Sequence, residues 1–303
     1  MKRGDTMSAW RSPLRYPGGK YNMLKFVKQI LQENQIDGTY IEAFAGGAGL
    51  AVNLLLTDTV QEIVLNDYDI AIYCFWYAVV YRNEEFLEKF DRVSVTLEEW
   101  HIQKGIFEDL SKRNRLGKSQ ILNLGFATYF LNRTNFSGIL RGATPIGGLK
   151  QTGAWKIDCQ FKKQNLRPVL EELGSNANRI TIKRLDMVNS FEQIFSDDFD
   201  RKNSLLFIDP PYVKEGRRLY LPIKEIDDHR QLSKSILQAD CKWLLTYDMH
   251  EDLLPMYNEV NQKFKYQLRY FVKEKRNEQE FLALSNDLIF PDDPILKEWA
   301  ILD

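Results

Sequence analysis

Thr39-Tyr40-Ile41-Glu42-Ala43-Phe44-Ala45-Gly46-Gly47-Ala48-Gly49 passes from an apolar run into three glycines, and an apolar segment, residues 50–56, follows. A short apolar run that ends in glycines and opens into a helix-like pattern reads as strand, tight turn and helix, because glycine lets the backbone turn sharply and approach a ligand closely. The pattern recurs along the chain. Residues 62–65 end in Asn66-Asp67 and precede a helical segment at 70–81. Residues 179–185 end at Asp186, 204–208 at Asp209, and 241–246 at Tyr247-Asp248. Apolar runs of this length that alternate with helical segments predict buried parallel strands in a doubly wound α/β sheet. Ligands of such sheets collect at the carboxyl ends of the strands, where these acids stand.

One distance exceeds what a plain sheet requires. Gly46 and Asp209 are 163 residues apart, whereas three strand-plus-helix units of about 30 residues need roughly 90. The excess predicts an insertion at 73–178 that divides the core into 1–72 and 179–303. Inside it, 97–110 and 118–131 have helical patterns, and 132–155 is Gly-rich and reads as a hairpin or irregular loop.

Charge is distributed unevenly. The net charge is −1, yet between Lys112 and Arg167 eleven Lys or Arg face one acid, Asp158, so this window carries +10 and the remainder −11. A charge run is by itself as often a solvated face as a site, but a basic window in an otherwise acidic chain is also the footprint of phosphate binding. Cys74, Cys159, Cys241 and three scattered histidines match no metal-ligand spacing, so neither disulfides nor a metal is expected. No stretch approaches the roughly 18 apolar residues of a membrane span, and residues 1–11 lack the apolar centre of a secretion signal; no membrane contact and a cytoplasmic location are expected.

The chemistry is carried by Asp209-Pro210-Pro211-Tyr212 at the end of the run 204–208. Two prolines hold the backbone extended and keep its carbonyls out of a helix. A carboxylate and a rigid carbonyl side by side can accept both hydrogens of an aromatic amino group, which leaves the nitrogen lone pair facing out of the ring plane. Tyr212 offers a flat face for stacking, worth about 1–3 kcal/mol per base. The glycine turn at 46–47 is a weak signal alone; it gains weight from Asp67, twenty residues past Gly47, where an acid can bind ribose hydroxyls. No GK[ST] follows the glycines, so a nucleoside without phosphates fits better than a nucleotide. Leu14-Arg15-Tyr16-Pro17-Gly18-Gly19-Lys20 precedes another helical pattern and reads first as a tight helix entry.

Taken together, Arg15 to Lys20, Glu42 to Gly47, Asn66-Asp67, Asn132-Arg133 with 136–141, and Asp209 to Tyr212 resemble the Dam-type family of DNA adenine methyltransferases. Order and spacing agree from residue 12 to about 250. The resemblance implies a Rossmann-like doubly wound methyltransferase core with an inserted, mainly helical target-recognition domain. It implies S-adenosylmethionine as cofactor, double-stranded DNA as partner, transfer to the exocyclic amino group of adenine, and a bacterial or phage origin. A cognate restriction endonuclease is a further candidate partner. It places Tyr16, Lys20, Glu42, Phe44, Gly46, Gly47, Asp67, Asp186, Met187 and Asp209 around the cofactor, Met187 standing where members often carry phenylalanine. Asp209, Pro210, Pro211 and Tyr212 would hold the target base, while Arg15 and Arg141 match DNA-contacting positions. Asn132, Arg133, Ser137 and Lys150 are the remaining candidates for DNA contact. Residues 142–149 and Ser137 depart from members that read GATC, so that specificity is not carried over. The basic segment 214–220 is a candidate for closing over DNA.

Two rival classes use similar chemistry. Methyltransferases of glutamine amides or RNA adenines also present a polar residue before Pro-Pro and an aromatic, commonly Asn where this chain has Asp209. A silent DNA-binding module would need neither Asp67 nor an intact Asp209–Tyr212.

Overall fold

In β1 (Thr39–Glu42) and β4 (Ser204–Ile208) every residue is buried, as expected of strands covered on both faces. A computed structural model describes residues 12–16, 20–212, 225–271, 275–296 and 298–302. Pro17 to Gly19 and the segment 214–220 therefore lie outside the described residues. β2 (Glu62–Asn66), β3 (Ile180–Lys183) and β5 (Lys242–Asp248) complete a parallel set with β1 and β4. β6 (Gln262–Phe271), β7 (Lys275–Leu284) and β8 (Ala300–Ile301) add antiparallel pairs, giving the order β3-β2-β1-β4-β5-β7-β6-β8. This is a doubly wound, Rossmann-like sheet with an antiparallel extension, and the chain reverses its direction of travel across it at the β1–β4 boundary. The carboxyl ends of β1 and β4 lie side by side there, with Glu42 opposite Phe207.

The period of two along each strand sorts the core into two layers. Tyr40, Ile63, Leu65, Leu205, Phe207 and Leu244 join one apolar cluster, whereas Ile41, Val64, Leu206, Ile208 and Leu245 join the other. On the first face lie α1 (Leu24–Glu33), α2 (Gly49–Leu56) and α3 (Ile70–Tyr81). The second face is covered by α8 (Ile226–Leu237) with Phe191 and Phe195.

Five helices connect β2 to β3: α3, α4 (Asn83–Arg92), α5 (Leu97–Leu110), α6 (Lys118–Thr134) and α7 (Lys163–Ser175). α5 starts where its sequence says it should, because the Thr96 hydroxyl accepts from the Glu99 N–H at 3.1 Å and two acids occupy the first turn. α3 is apolar all round and is gripped between the sheet and α6. A methyl group on Gly125 of α6 would stand 2.8 Å from the Cys74 carbonyl carbon and 2.9 Å from the Ala78 Cβ, so the two helices approach to backbone contact only because that position is glycine. Phe75 stacks on Tyr129 at 5.6 Å, and Phe86 sits edge-on to both Phe126 and Tyr129. The expected insertion edge at 73 falls inside α3, and one continuous cluster runs from Tyr40 and Phe207 through Phe75 to Leu170 of α7.

The segment at 132–155 differs in its beginning from the irregular loop expected there. α6 continues to Thr134, stabilised by the Thr134 hydroxyl on the Phe130 carbonyl at 2.7 Å, and only then does an irregular segment follow, with one isolated bridge between Asn135 and Pro145. The three cysteines are free. Among the described residues no helix is long and apolar enough to cross a membrane, and no group of His, Cys, Asp or Glu is arranged to hold a metal ion.

Candidate active site

Asp209 follows directly on β4, and its side chain is met from two distant parts of the chain. The Lys20 ammonium, on the 3-10 turn Lys20–Met23, lies 3.0 Å from Oδ1, and the Thr246 hydroxyl of β5 donates to the same oxygen at 2.8 Å. The other oxygen, Oδ2, has no hydrogen bond among the described residues. Burial pushes the Asp209 carboxyl up from the usual range; Lys20 opposes this, Glu280 adds to it, and the hydrogen bonds from Lys20 and Thr246 counter it again.

Tyr212, three residues on, is held at its hydroxyl. Lys20 Nζ donates to that oxygen at 2.5 Å and the hydroxyl donates to Glu280 Oε1 at 2.7 Å. Glu280 Oε2 accepts from the Tyr266 hydroxyl at 2.5 Å and stands 3.8 Å from Lys20 Nζ. Lys20 and Glu280 are 6 % and 1 % exposed, so this is a buried network with an acid on each side of one cation. Pro210 is buried behind the corner and Pro211 half-buried within it.

The glycine turn lies at the ends of β1 and β2. Gly46 has φ +46° and Ala48 φ +45°, a left-handed path that glycine tolerates and alanine adopts only under strain. The Tyr16 side chain lies on this turn: a Cβ at Gly46 would meet its ring at 2.7 Å, and one at Gly47 would meet its Cβ at 2.7 Å. The Ser12 hydroxyl donates to the Gly47 carbonyl, and Trp76 Nε1 donates to the Gly46 carbonyl at 2.9 Å. Asp67 Oδ2 accepts from the Gly46 N–H at 2.8 Å and Oδ1 from the Asp69 N–H at 2.9 Å. Burial, then the Asp69 charge, push Asp67 up to about 7 against those backbone donors and Arg141. Glu42 is buried, accepts from the Ala51 N–H of α2 at 2.9 Å, and is pushed up to about 8 mainly by burial. Asn66 staples three strand ends, donating to the carbonyls of Ala43 and Leu185 and accepting from the Leu185 N–H at 2.7 Å.

Not every residue expected beside the cofactor faces an opening. Phe44 is half-buried against the second core layer, and Met187 is 1 % exposed within it. Asp186 spends its oxygens locally, on the Val188 N–H at 3.0 Å and the Asn189 amide at 2.7 Å.

On the expected DNA side, Asn132 requires correction. It is 1 % exposed, and its amide accepts from the Arg15 N–H at 2.7 Å while donating to the carbonyls of Arg15 and Gly138 at 2.8 and 2.9 Å. The last turn of α6 thus turns this residue inward, where it ties the segment at Arg15 to the 136–141 turn. Arg133 likewise spends its guanidinium on the carbonyls of Gln160 and Pro13, at 3.0 and 3.4 Å. Arg15 donates to the Asn135 carbonyl at 3.1 Å. Arg141 makes two hydrogen bonds to Asp69, at 2.5 and 3.1 Å, and lies over the Phe107 ring. Ser137, with φ +55°, and Lys150 are exposed, and Phe136, Leu149 and Trp155 stand out beside them at 51, 57 and 73 % exposure.

Sequence reasoning missed Glu280, Tyr266, Thr246 and Asp69. Only Asp69 carried a local signal, an acid one residue before a helix, where it accepts from the Ala71 N–H at 2.9 Å. The other three enter the site through strand pairing alone.

A family model for the D12 class of N6 adenine-specific DNA methyltransferases matches residues 16–277. No curated protein matches the chain. Among solved structures, the rRNA methyltransferase AviRa from Streptomyces viridochromogenes is similar at 12 % identity and a TM-score of 0.39, covering 95 % of this chain and 96 % of that one. A protein provisionally described as an RNA methyltransferase, from Pyrococcus horikoshii, is similar at 9 % identity and a TM-score of 0.41, over 94 % and 92 %.

Proposed function

Because the chain belongs to the D12 class of N6 adenine-specific DNA methyltransferases, we propose that it transfers a methyl group from S-adenosylmethionine to the amino nitrogen of an adenine rotated out of double-stranded DNA. The observation that carries this reading is the state of Asp209. One of its oxygens is saturated by Lys20 and Thr246, and the other is left for an incoming donor. An adenine amino group is such a donor, with one hydrogen for Asp209 Oδ2 and one for the carbonyl of Pro210. Inside a duplex that group is paired and out of reach, so the base must leave the stack at a cost of a few kcal/mol. Stacking on Tyr212 returns about 1–3 kcal/mol of it.

The residues at the glycine turn fit the proposed cofactor. Asp67 is a carboxylate whose two oxygens each hold one backbone donor and retain a lone pair; the two hydroxyls of a ribose are matching donors. Glu42, largely protonated at neutral pH, offers a hydrogen-bond donor without a charge. Tyr16, Lys20, Gly46 and Gly47 complete the proposed contacts. When bound, S-adenosylmethionine supplies the methyl as an electrophile on a positively charged sulfur.

The chain's own groups would do the rest. Asp209 and the Pro210 carbonyl would orient the amino group so that its lone pair faces the side from which the methyl is supplied, in line for a direct displacement. The nitrogen becomes positively charged as it gains the methyl. Asp209 stabilises that charge and accepts the proton that the nitrogen then sheds. Alignment and fixed charge in a shielded site supply most of the acceleration. We further propose that residues 73–178 form the target-recognition part, with Arg15, Arg141, Ser137 and Lys150 toward DNA and Asn132 and Arg133 holding that surface in place.

Incubation with radiolabelled S-adenosylmethionine and, in parallel, unmethylated genomic DNA, RNA and protein tests the reading. Label is expected only in DNA, as N6-methyladenine. Asp209→Ala should cut turnover by at least about 10²-fold while calorimetric cofactor affinity moves by less than about threefold. Label in RNA or in glutamine amides of protein would favour the rival chemistries, and absence of cofactor binding would leave a silent DNA-binding module.

A further inference from the structure

Tyr212 and Asp209 leave β4 on one short corner, but the acceptor of the Tyr212 hydroxyl comes from the antiparallel hairpin at the far edge of the parallel set. Glu280 lies on β7, opposite Asp248 of β5 and Tyr266 of β6 in the strand register. The hydrogen-bond directions there follow from chemistry. An ammonium has no lone pair, so Lys20 donates to the Tyr212 oxygen, and the single hydrogen of that hydroxyl is then free to go to Glu280 Oε1, 2.7 Å away. Tyr266 supplies the donor to Oε2. The chain of bonds therefore runs from Lys20 through Tyr212 into Glu280, and the same lysine is shared with Asp209 at 3.0 Å.

Two consequences follow if Glu280 is removed. The Tyr212 hydroxyl loses its bond to Glu280 Oε1, so one of the bonds that anchor the ring at its far end is gone. Lys20 loses the pull of Glu280, one of the acids that share it with Asp209. We propose that Glu280 is a positioning residue of the acceptor site: acting through Tyr212 and Lys20, it fixes the aromatic face on which the extruded adenine stacks and keeps Lys20 shared, so that Asp209 presents its second oxygen to the amino group. This rests on the function proposed above. Asp209 and Glu280 are surrounded by Lys20 and Tyr212, by Tyr266 of β6, by Tyr40 and Glu42 of β1 and by Tyr247 and Asp248 of β5. Of the groups that act on Asp209, Lys20 favours its ionised form and Glu280 opposes it.

The test uses the whole protein, unmethylated genomic DNA and labelled S-adenosylmethionine, with kcat and KM measured against pH and cofactor affinity measured by calorimetry. Glu280→Ala and Tyr212→Phe are each expected to lower kcat by about 10- to 100-fold, with cofactor affinity within about threefold of the wild type. Because both act on one hydrogen bond, adding Glu280→Ala to Tyr212→Phe should cost no more than about threefold further. Glu280→Gln keeps shape and an acceptor but no charge. It should recover most of the rate and move the acid limb of the kcat profile to lower pH, since the charge that opposes ionisation of Asp209 is gone. The proposal is overturned if Glu280→Ala turns over at the wild-type rate, if the two single losses multiply in the double variant, or if the Gln variant leaves the pH profile in place. Should the Ala variant not fold, the Gln variant decides by its pH profile. A wild-type protein that binds cofactor and methylates no DNA would instead sink the function on which the proposal rests.

Discussion

Glu42 shows how far one buried carboxyl can depart from its ordinary chemistry. Sequence marks it as an acid within an apolar run and, by resemblance, as a neighbour of the cofactor; the fold buries it, gives it the Ala51 N–H, and pushes it from 4.5 to about 8. Its folded pKa lies above its unfolded one, so the folded protein holds a proton that the unfolded chain releases. Stability from this group is therefore fully present below about pH 4.5 and falls as pH rises toward 8, by an amount on the order of a few kcal/mol. Glu42→Gln keeps the acceptor for Ala51 and removes the titration. Denaturant unfolding should find the variant more stable than the wild type at pH 8.5 and near it at pH 5; equal pH dependence in both would refute the assignment. Asn132 gives the opposite case. Its side-chain type suggested contact with DNA, whereas its amide is consumed by the backbone of Arg15 and Gly138. Residue type and place in a motif do not report on which face of a helix end the side chain emerges.

Among the elements, α5 and the strands at β1, β2, β4 and β5 were legible because their signals are local: a helical pattern over 97–110 and apolar runs that end in glycine or aspartate. α6 extends further than its apolar pattern because Thr134 and Asn135 bond back onto it. Its contact with α3 is a tertiary fact that the sequence records only as an unremarked glycine. Gly125→Ala improves helix propensity by about 1 kcal/mol, yet it drives a methyl into the Cys74 carbonyl group. Overpacking costs about 1–3 kcal/mol and should win. A lowered melting temperature is expected; an unchanged or raised one would mean that α3 and α6 separate without penalty. The β6–β7 hairpin had no legible signal, and with it Glu280 and Tyr266 stayed hidden.

For the whole molecule, the basic window 112–167 overstates the free charge of that region. Arg141 is paired with Asp69, Arg113 with Asp109, and Arg167 with Asp91 and Glu171, while Arg133 and Lys163 are spent on backbone carbonyls. Lys150 is exposed on the irregular segment that also carries Leu149 and Trp155. Lys150→Ala should weaken DNA binding about equally for all sequences and reduce the salt slope by about 0.9 if the lysine meets one phosphate. An unchanged slope in a salt titration of binding would remove it from the interface. Sequence by itself determined the parallel core, the corner at Asp209-Pro210-Pro211-Tyr212 and the glycine turn with its acid, because strand burial, proline and glycine act on the backbone within a few residues. Which groups face Asp209 was decided only by the tertiary structure. Lys20, Thr246 and Glu280 come from opposite ends of the chain, and their approach depends on sheet order and on antiparallel register, quantities set by the packing of the whole and written in no single segment.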